Sequence, residues 1–123
     1  MIEVKAYPDR QRLYIIADCA LSAEDFQNIV ETLKLEAGKL GSGWVAAVDF
    51  RGMQVADPYL NERIELLQNA LLTSGARKIG TLLDSQNVLL RLSQSGMHTH
   101  SNEITQRFDN EQRWEAFLSQ RSG

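Results

Sequence analysis

Five consecutive apolar residues, Trp44-Val45-Ala46-Ala47-Val48, follow Gly41-Ser42-Gly43 and precede Asp49. A run this short does not make a helix. Its lack of alternation predicts a strand buried on both faces, and a strand of that kind needs a sheet with helices packed against it. The flanking segments offer those helices. Leu21-Ser22-Ala23-Glu24-Asp25-Phe26 reads as a helix start, with Ser22 as cap, Asp25 as the capping-box acid and Leu21 placed to staple onto Phe26. Phe26, Ile29, Val30, Leu33, Ala37 and Leu40 recur at three- and four-residue steps, so one face of a helix reaching about Lys39 must be buried. Helical spacing returns after Asp57-Pro58, where aspartate caps and proline occupies the first position, whose N–H has no intrahelical acceptor. Leu60, Ile64, Leu67 and Leu71 form the inward stripe, and Ser74-Gly75 stops it.

The remaining segments complete an alternating order. Ile2 to Val4 and Leu13 to Ala17 read as strands joined through the turn residues Tyr7-Pro8-Asp9-Arg10. Lys78 to Leu83 reads as another strand, Ser85 to Ser95 as a short helix ended by Gly96, and Glu103 to Phe108 as a last strand. Asn110 to Gln120 forms a terminal helix that buries Trp114, Phe117 and Leu118. The order ββαβαβαβα predicts an α/β fold: a central mixed, mostly parallel sheet of about four or five strands, right-handed crossovers, and an N-terminal antiparallel hairpin at one side. With 123 residues and no internal repeat or linker, residues 1–123 are expected to form one domain.

Thirteen basic and sixteen acidic residues leave a net charge of −3, so no broad attraction to phosphate backbones or anionic lipid is expected, and nucleic acid is not the expected partner. Cys19 is the single cysteine and has no internal disulfide partner. The start MIEVKAYPDR lacks a signal-peptide apolar core, and no apolar run approaches the ~18 residues of a membrane span, so a cytoplasmic protein that is not an integral membrane protein is expected. No catalytic motif is recognised, which favours a non-enzymatic role without a cofactor.

The stretch Val48-Asp49-Phe50-Arg51-Gly52-Met53-Gln54-Val55-Ala56-Asp57-Pro58-Tyr59-Leu60 resembles the central signature of STAS domains, the SpoIIAA-like anti-sigma-factor antagonist fold: a strand, an aspartate, a small-Gly pair, apolar positions and Asp-Ser opening a helix. Asp84-Ser85-Gln86-Asn87-Val88-Leu89-Leu90-Arg91-Leu92-Ser93-Gln94-Ser95-Gly96-Met97 is similar to that family's next loop and helix. The ending Arg107-Phe108-Asp109-Asn110-Glu111-Gln112-Arg113-Trp114 resembles the close of bacterial STAS-like proteins sometimes grouped with CRAL-TRIO lipid-binding folds. The resemblance implies a SpoIIAA-like (STAS-like) fold and a regulatory or protein-interaction role. It also implies a phosphorylatable serine at the start of the central helix, whose added charge changes partner binding. Pro58 stands at that position, and no Ser or Thr occurs between Asp49 and Thr73. The expected variant is non-phosphorylatable, with Asp57 and Pro58 fixing a constitutive helix start.

Each candidate site has a structural competitor. His98 and His100, two residues apart, point the same way in an extended segment, with Asp84 and Glu103 as conceivable further ligands. Two imidazoles leave most of a coordination shell unfilled, however, and a polar surface loop without metal is expected. Cys19, with no neighbouring cation, reads as a small packed thiol. Gly38-Lys39-Leu40-Gly41-Ser42-Gly43 follows a helix and precedes a strand, the reverse of a phosphate loop. Arg51-Gly52-Met53 has the right order for an anion site, opposed by the charge of Asp57 and the missing amide of Pro58; the competing reading is a cap plus a solvated arginine. Asp49 is either a base or a hydrogen-bonded turn acid, and the absence of a partnered nucleophile favours the latter.

Glu62, Arg63 and Glu65 occupy the polar face of the central helix, the face on which STAS-type partners dock. The expected partner edge therefore comprises Arg51, Gly52, Asp57, Pro58, Tyr59, Glu62 and Arg63, and the expected function is binding of a protein partner. The alternative is a small-molecule or lipid-binding module, with a pocket beneath the helices.

Overall fold

The computed structural model describes residues 2–19, 21–53, 60–84 and 104–120, with the side chains of the second helix described from Glu62 onward. Strand β1 (Ile2–Tyr7) leads through a 3-10 turn (Pro8–Arg10) into β2 (Arg12–Ala17), followed by α1 (Ala23–Ala37), β3 (Trp44–Asp49), α2 (Leu60–Thr73), β4 (Ala76–Leu82), β5 (Thr105–Phe108) and α3 (Glu111–Ser119). The five strands form one sheet in chain order, β1-β2-β3-β4-β5. β1 and β2 are antiparallel, and all other neighbours are parallel. This is the expected α/β architecture, with the N-terminal hairpin at one edge. The expected helix Ser85–Ser95, the Asp57-Pro58 cap and Glu103 at the start of the last strand lie outside the described residues.

Strand periodicity explains the apolar run. Trp44, Ala46 and Val48 point to one face, where they pack with Leu13, Ile15 and Ala17 of β2, Phe26, Ile29 and Leu33 of α1, and Ile64, Leu67 and Leu71 of α2. Val45 and Ala47 point to the other face and meet Leu82, Trp114 and Leu118. Strands that follow one another in space and in sequence, joined by crossovers of one hand, place α1 and α2 on the same side. Among the described helices, α3 covers the opposite side.

Local chemistry sets the element ends. Ser22 and Asp25 form a full capping box, in which the Asp25 amide donates to Ser22 Oγ (3.1 Å) and the Ser22 amide donates to Asp25 Oδ2 (2.9 Å). α1 ends at Ala37 rather than near Lys39, because Gly38, a poor helix former, is the C-cap and Lys39 N–H donates to the Glu36 carbonyl in a tighter turn. β1 runs to Tyr7, beyond the expected Val4, because every residue from Ile2 to Tyr7 pairs with β2. β4 starts at Ala76, two residues earlier than expected. Trp44 Nε1 donates to the Ser74 carbonyl (3.0 Å) and Gly43 N–H to the Gly75 carbonyl (2.9 Å), so the chain is already held against β3 where the helix stops.

α3 is anchored by specific contacts. Asn110 caps it by accepting from Arg113 N–H (3.0 Å), and the buried Trp114 Nε1 donates to the Gly80 carbonyl (2.9 Å). The close approach requires glycine at position 80, where a Cβ would meet Leu118 Cδ2 at 2.9 Å and Phe117 Cδ2 at 3.1 Å. Arg12, almost wholly buried, donates to Glu115 Oε1 (2.7 Å), Tyr14 Oη (2.8 Å) and Ser119 Oγ (3.3 Å). Burial alone disfavours its charge, but the bonds to Glu115 and Tyr14 outweigh this and hold its pKa above the ordinary value. Lys78 Nζ donates to the Phe117 and Gln120 carbonyls at the C-terminal end of α3, where the Phe117 carbonyl also accepts from the Gln120 N–H.

Two outcomes follow. Trp114→Ala should lower the unfolding free energy by about 3 to 5 kcal/mol in urea denaturation, since it removes a buried ring and its hydrogen bond to the Gly80 carbonyl. The Glu36 carboxyl sits below the usual carboxylate range because Lys39 bonds it and, secondarily, because it accepts from Ala6 N–H (3.1 Å). A depressed folded pKa stabilises the fold above the unfolded value, and that contribution is lost as pH falls through the folded one. Glu36→Gln should accordingly flatten the acid limb of a stability–pH profile measured between neutral pH and pH ~3.

Candidate functional site

The parallel strands deliver their carboxyl ends to one edge of the sheet, the place where open α/β sheets build binding sites. Asp18 follows β2, Asp49 closes β3, Asp84 follows β4 and Asp109 follows β5. The turn after β3 is the centre of this edge. Phe50 N–H donates to the Leu82 carbonyl (2.9 Å) and Met53 N–H to the Phe50 carbonyl (3.2 Å), while the Phe50 and Met53 side chains are buried in the core. The turn's two apolar residues thus fix it from below and leave Arg51 and Gly52 on the surface.

Both surface residues are held. Asp49 Oδ1 accepts from the Arg51 amide (3.2 Å) and Nε (3.0 Å), Asp49 Oδ2 accepts from Nη2 (2.7 Å), and Glu111 Oε2 lies 3.5 Å from Nη1. The fork-on-carboxylate geometry fixes the guanidinium plane and raises its pKa, chiefly through Asp49. Gly52 has φ +82°, and its N–H donates to both Asp84 oxygens at 3.1 Å. A Cβ at this position would stand 3.0 Å from the Asp18 carbonyl, so conformation and space both demand glycine. Arg51 is therefore an exposed cation, clamped by two carboxylate neighbours. The surrounding charge is acidic, which favours a ligand group that is cationic or donates hydrogen bonds over an anion.

Of the expected edge, Arg51 and Gly52 share this turn. Glu62 is exposed and Arg63 half-buried on the first turns of α2, while Asp57, Pro58 and Tyr59 lie outside the described residues, as do His98 and His100. Asp49 accepts hydrogen bonds within its own turn, the arrangement expected of a turn acid. Cys19 is half-buried against the core. Three participants were not foreseen. Asp84 reaches the turn from beyond β4 and Glu111 from the first position of α3, and Leu66 is 64 % exposed on α2, in line with the exposed Glu62, Asn69 and Thr73. Leu66 was legible, since it stands four residues after Glu62 on the polar stripe. The roles of Asp84 and Glu111 depend on sheet order.

Beneath α2, Val48, Ile64, Leu67, Gln68, Thr81 and Arg107 are among the residues lining a cavity of about 20 Å³, room for a single water molecule. Burial lowers the pKa of Arg107 at its rim. Among the described residues, no group of three or more His, Cys, Asp or Glu side chains could hold a metal ion, and no helix is long and apolar enough to cross a membrane.

Compared with protein-family models, curated proteins and solved structures, the chain matches none. Its class rests on its own architecture: a small α/β domain whose mixed, mostly parallel five-stranded sheet is flanked by three helices among the described residues.

The turn yields a contrast that equilibrium unfolding measures. Gly52→Ala should cost about 1 to 2 kcal/mol through a strained φ and the clash with the Asp18 carbonyl. Arg51→Ala should cost less than about 1 kcal/mol, because the ion pair it removes is solvent-exposed.

Proposed function

We propose that the chain is a STAS-like interaction domain that binds a protein partner through the Arg51–Gly52 turn and the exposed stripe of α2, without the serine switch of the antagonists. The observation that carries this reading is the apolar Leu66, 64 % exposed on an otherwise polar stripe of α2, the helix that follows in sequence a turn whose charged groups are already fixed. A solvent-exposed leucine flanked by oriented polar groups is the composition of an interface patch: an apolar anchor with a polar surround. A clamped Arg51 loses little further side-chain entropy when a partner binds, so its remaining donors are preorganised. The order of elements, and the aspartate–Arg–Gly turn between β3 and α2, agree with the STAS resemblance. Among the described residues the lipid-binding alternative has less support, because the cavity under α2 is far smaller than an acyl chain requires.

Affinity capture from the source organism's extract, with quantitative mass spectrometry, tests the assignment. One specific protein should be retained by the wild type and lost, by at least about tenfold, with Leu66→Glu, as expected for an interface anchor. Leu35→Glu, a comparably exposed leucine on α1, should leave capture unchanged. Equal loss with both variants, or no specific protein at all, would sink the reading.

A further inference from the structure

The first strand forms an open edge of the sheet, and its backbone directions are set by its neighbours. The Gln11 carbonyl accepts from Val45 N–H, so odd-numbered residues of β2 face β3 and even-numbered ones face β1. The antiparallel register then bonds Arg12, Tyr14 and Ile16 to Tyr7, Lys5 and Glu3. Ile2, Val4 and Ala6 are left with their N–H and C=O groups directed away from the sheet. Consistent with this, Ala6 N–H donates to the Glu36 carboxylate rather than to another strand. On the α1 side, Ile2 and Val4 border a groove of about 260 Å³ with Asp25, Asn28, Ile29 and Thr32, and Ile2 is 38 % exposed. On the other side Glu3 and Lys5 are both exposed.

We propose that this edge pairs with a second copy of the chain, β1 against β1, antiparallel and centred on Val4. The sequence Ile2-Glu3-Val4-Lys5-Ala6 is self-complementary about that centre. Val4 faces its symmetry mate and exchanges both backbone hydrogen bonds with it. Glu3 of each copy lies opposite Lys5 of the other in a non-hydrogen-bonded pair, where side chains approach most closely. The exposed Ile2 falls opposite the small Ala6, large against small. Because only even-numbered residues direct their backbone outward, the strands slide in steps of two. One step either way sets Glu3 against Glu3 or Lys5 against Lys5 on the axis, so charge selects the Val4-centred register. Among the described residues, Glu36 already holds one of the outward backbone groups. Its carboxylate oxygen stands where the partner's Ile2 carbonyl would sit, and on pairing that carbonyl takes over the Ala6 amide while Lys39 retains the displaced carboxylate. This exchange makes the dimer reversible and dependent on concentration, and it is independent of the Leu66 surface.

Sedimentation velocity over a concentration series tests the pairing. The wild type should move from the mass of one chain to twice that mass. Glu3→Lys and Lys5→Glu, both at exposed positions that leave the circular dichroism spectrum unchanged, should each raise the dimer dissociation constant by about tenfold or more, because both cross-strand pairs become repulsive. An equimolar mixture of the two variants should restore the dimer, since each then presents the complement of the other. A wild type that stays monomeric throughout, either variant dimerising as well as the wild type, or a mixture that remains monomeric would overturn the proposal.

Discussion

Everything in this fold depends on β3 being covered twice. A strand with apolar side chains on both faces is stable only between two layers, and the residues at its centre determine how close those layers come. Ala46 and Ala47 are both fully buried. On one side the small Ala46 leaves room for helices that carry Phe26, Ile29, Leu33, Ile64 and Leu67. On the other, Ala47 packs with the Trp114 indole, which bonds to the backbone of β4 itself, and the absent side chain of Gly80 admits Leu118 and Phe117. The two layers are therefore unlike. Among the described residues, two parallel crossover helices form one by apolar packing, and a single short helix forms the other, fastened by a tryptophan, a buried arginine and a lysine at its end.

That asymmetry explains which parts of the fold could be read from sequence. Apolar spacing is a local signal, so α1, β3, the inward stripe of α2 and the Trp114-bearing helix are all visible in the order of residues. The boundaries were less so. β1 reaches Tyr7 because β2 supplies a partner for each of its residues, and β4 begins at Ala76 because Trp44 and Gly43 hold the preceding turn. Both are tertiary effects that override local propensity. Arg12 is the clearest case: a charged residue opening a strand reads as exposed, yet its partners Tyr14, Glu115 and Ser119 arrive from the same strand and from the far end of the chain.

The candidate site divides along the same line. Arg51 and Gly52 follow from the turn that must end a buried strand and from the STAS resemblance, and Asp49 as a turn acid follows from its place at the strand end. Asp84 and Glu111 become partners of that turn only because the parallel sheet brings the ends of β3, β4 and β5 side by side. Their sequence distances from Gly52 and Arg51 carry no periodic signal.

Satisfaction of these polar groups also bears on what the edge is suited to do. Asp49 accepts from Arg51 through both oxygens, and Asp84 accepts the Gly52 N–H. The same bonds that occupy these acids hold the turn in one conformation, with Gly52 at a backbone angle that other residues resist. Under the proposed reading, this preordered turn and the exposed Leu66 of α2 are two parts of one recognition surface, and the turn needs little further side-chain ordering to meet a partner.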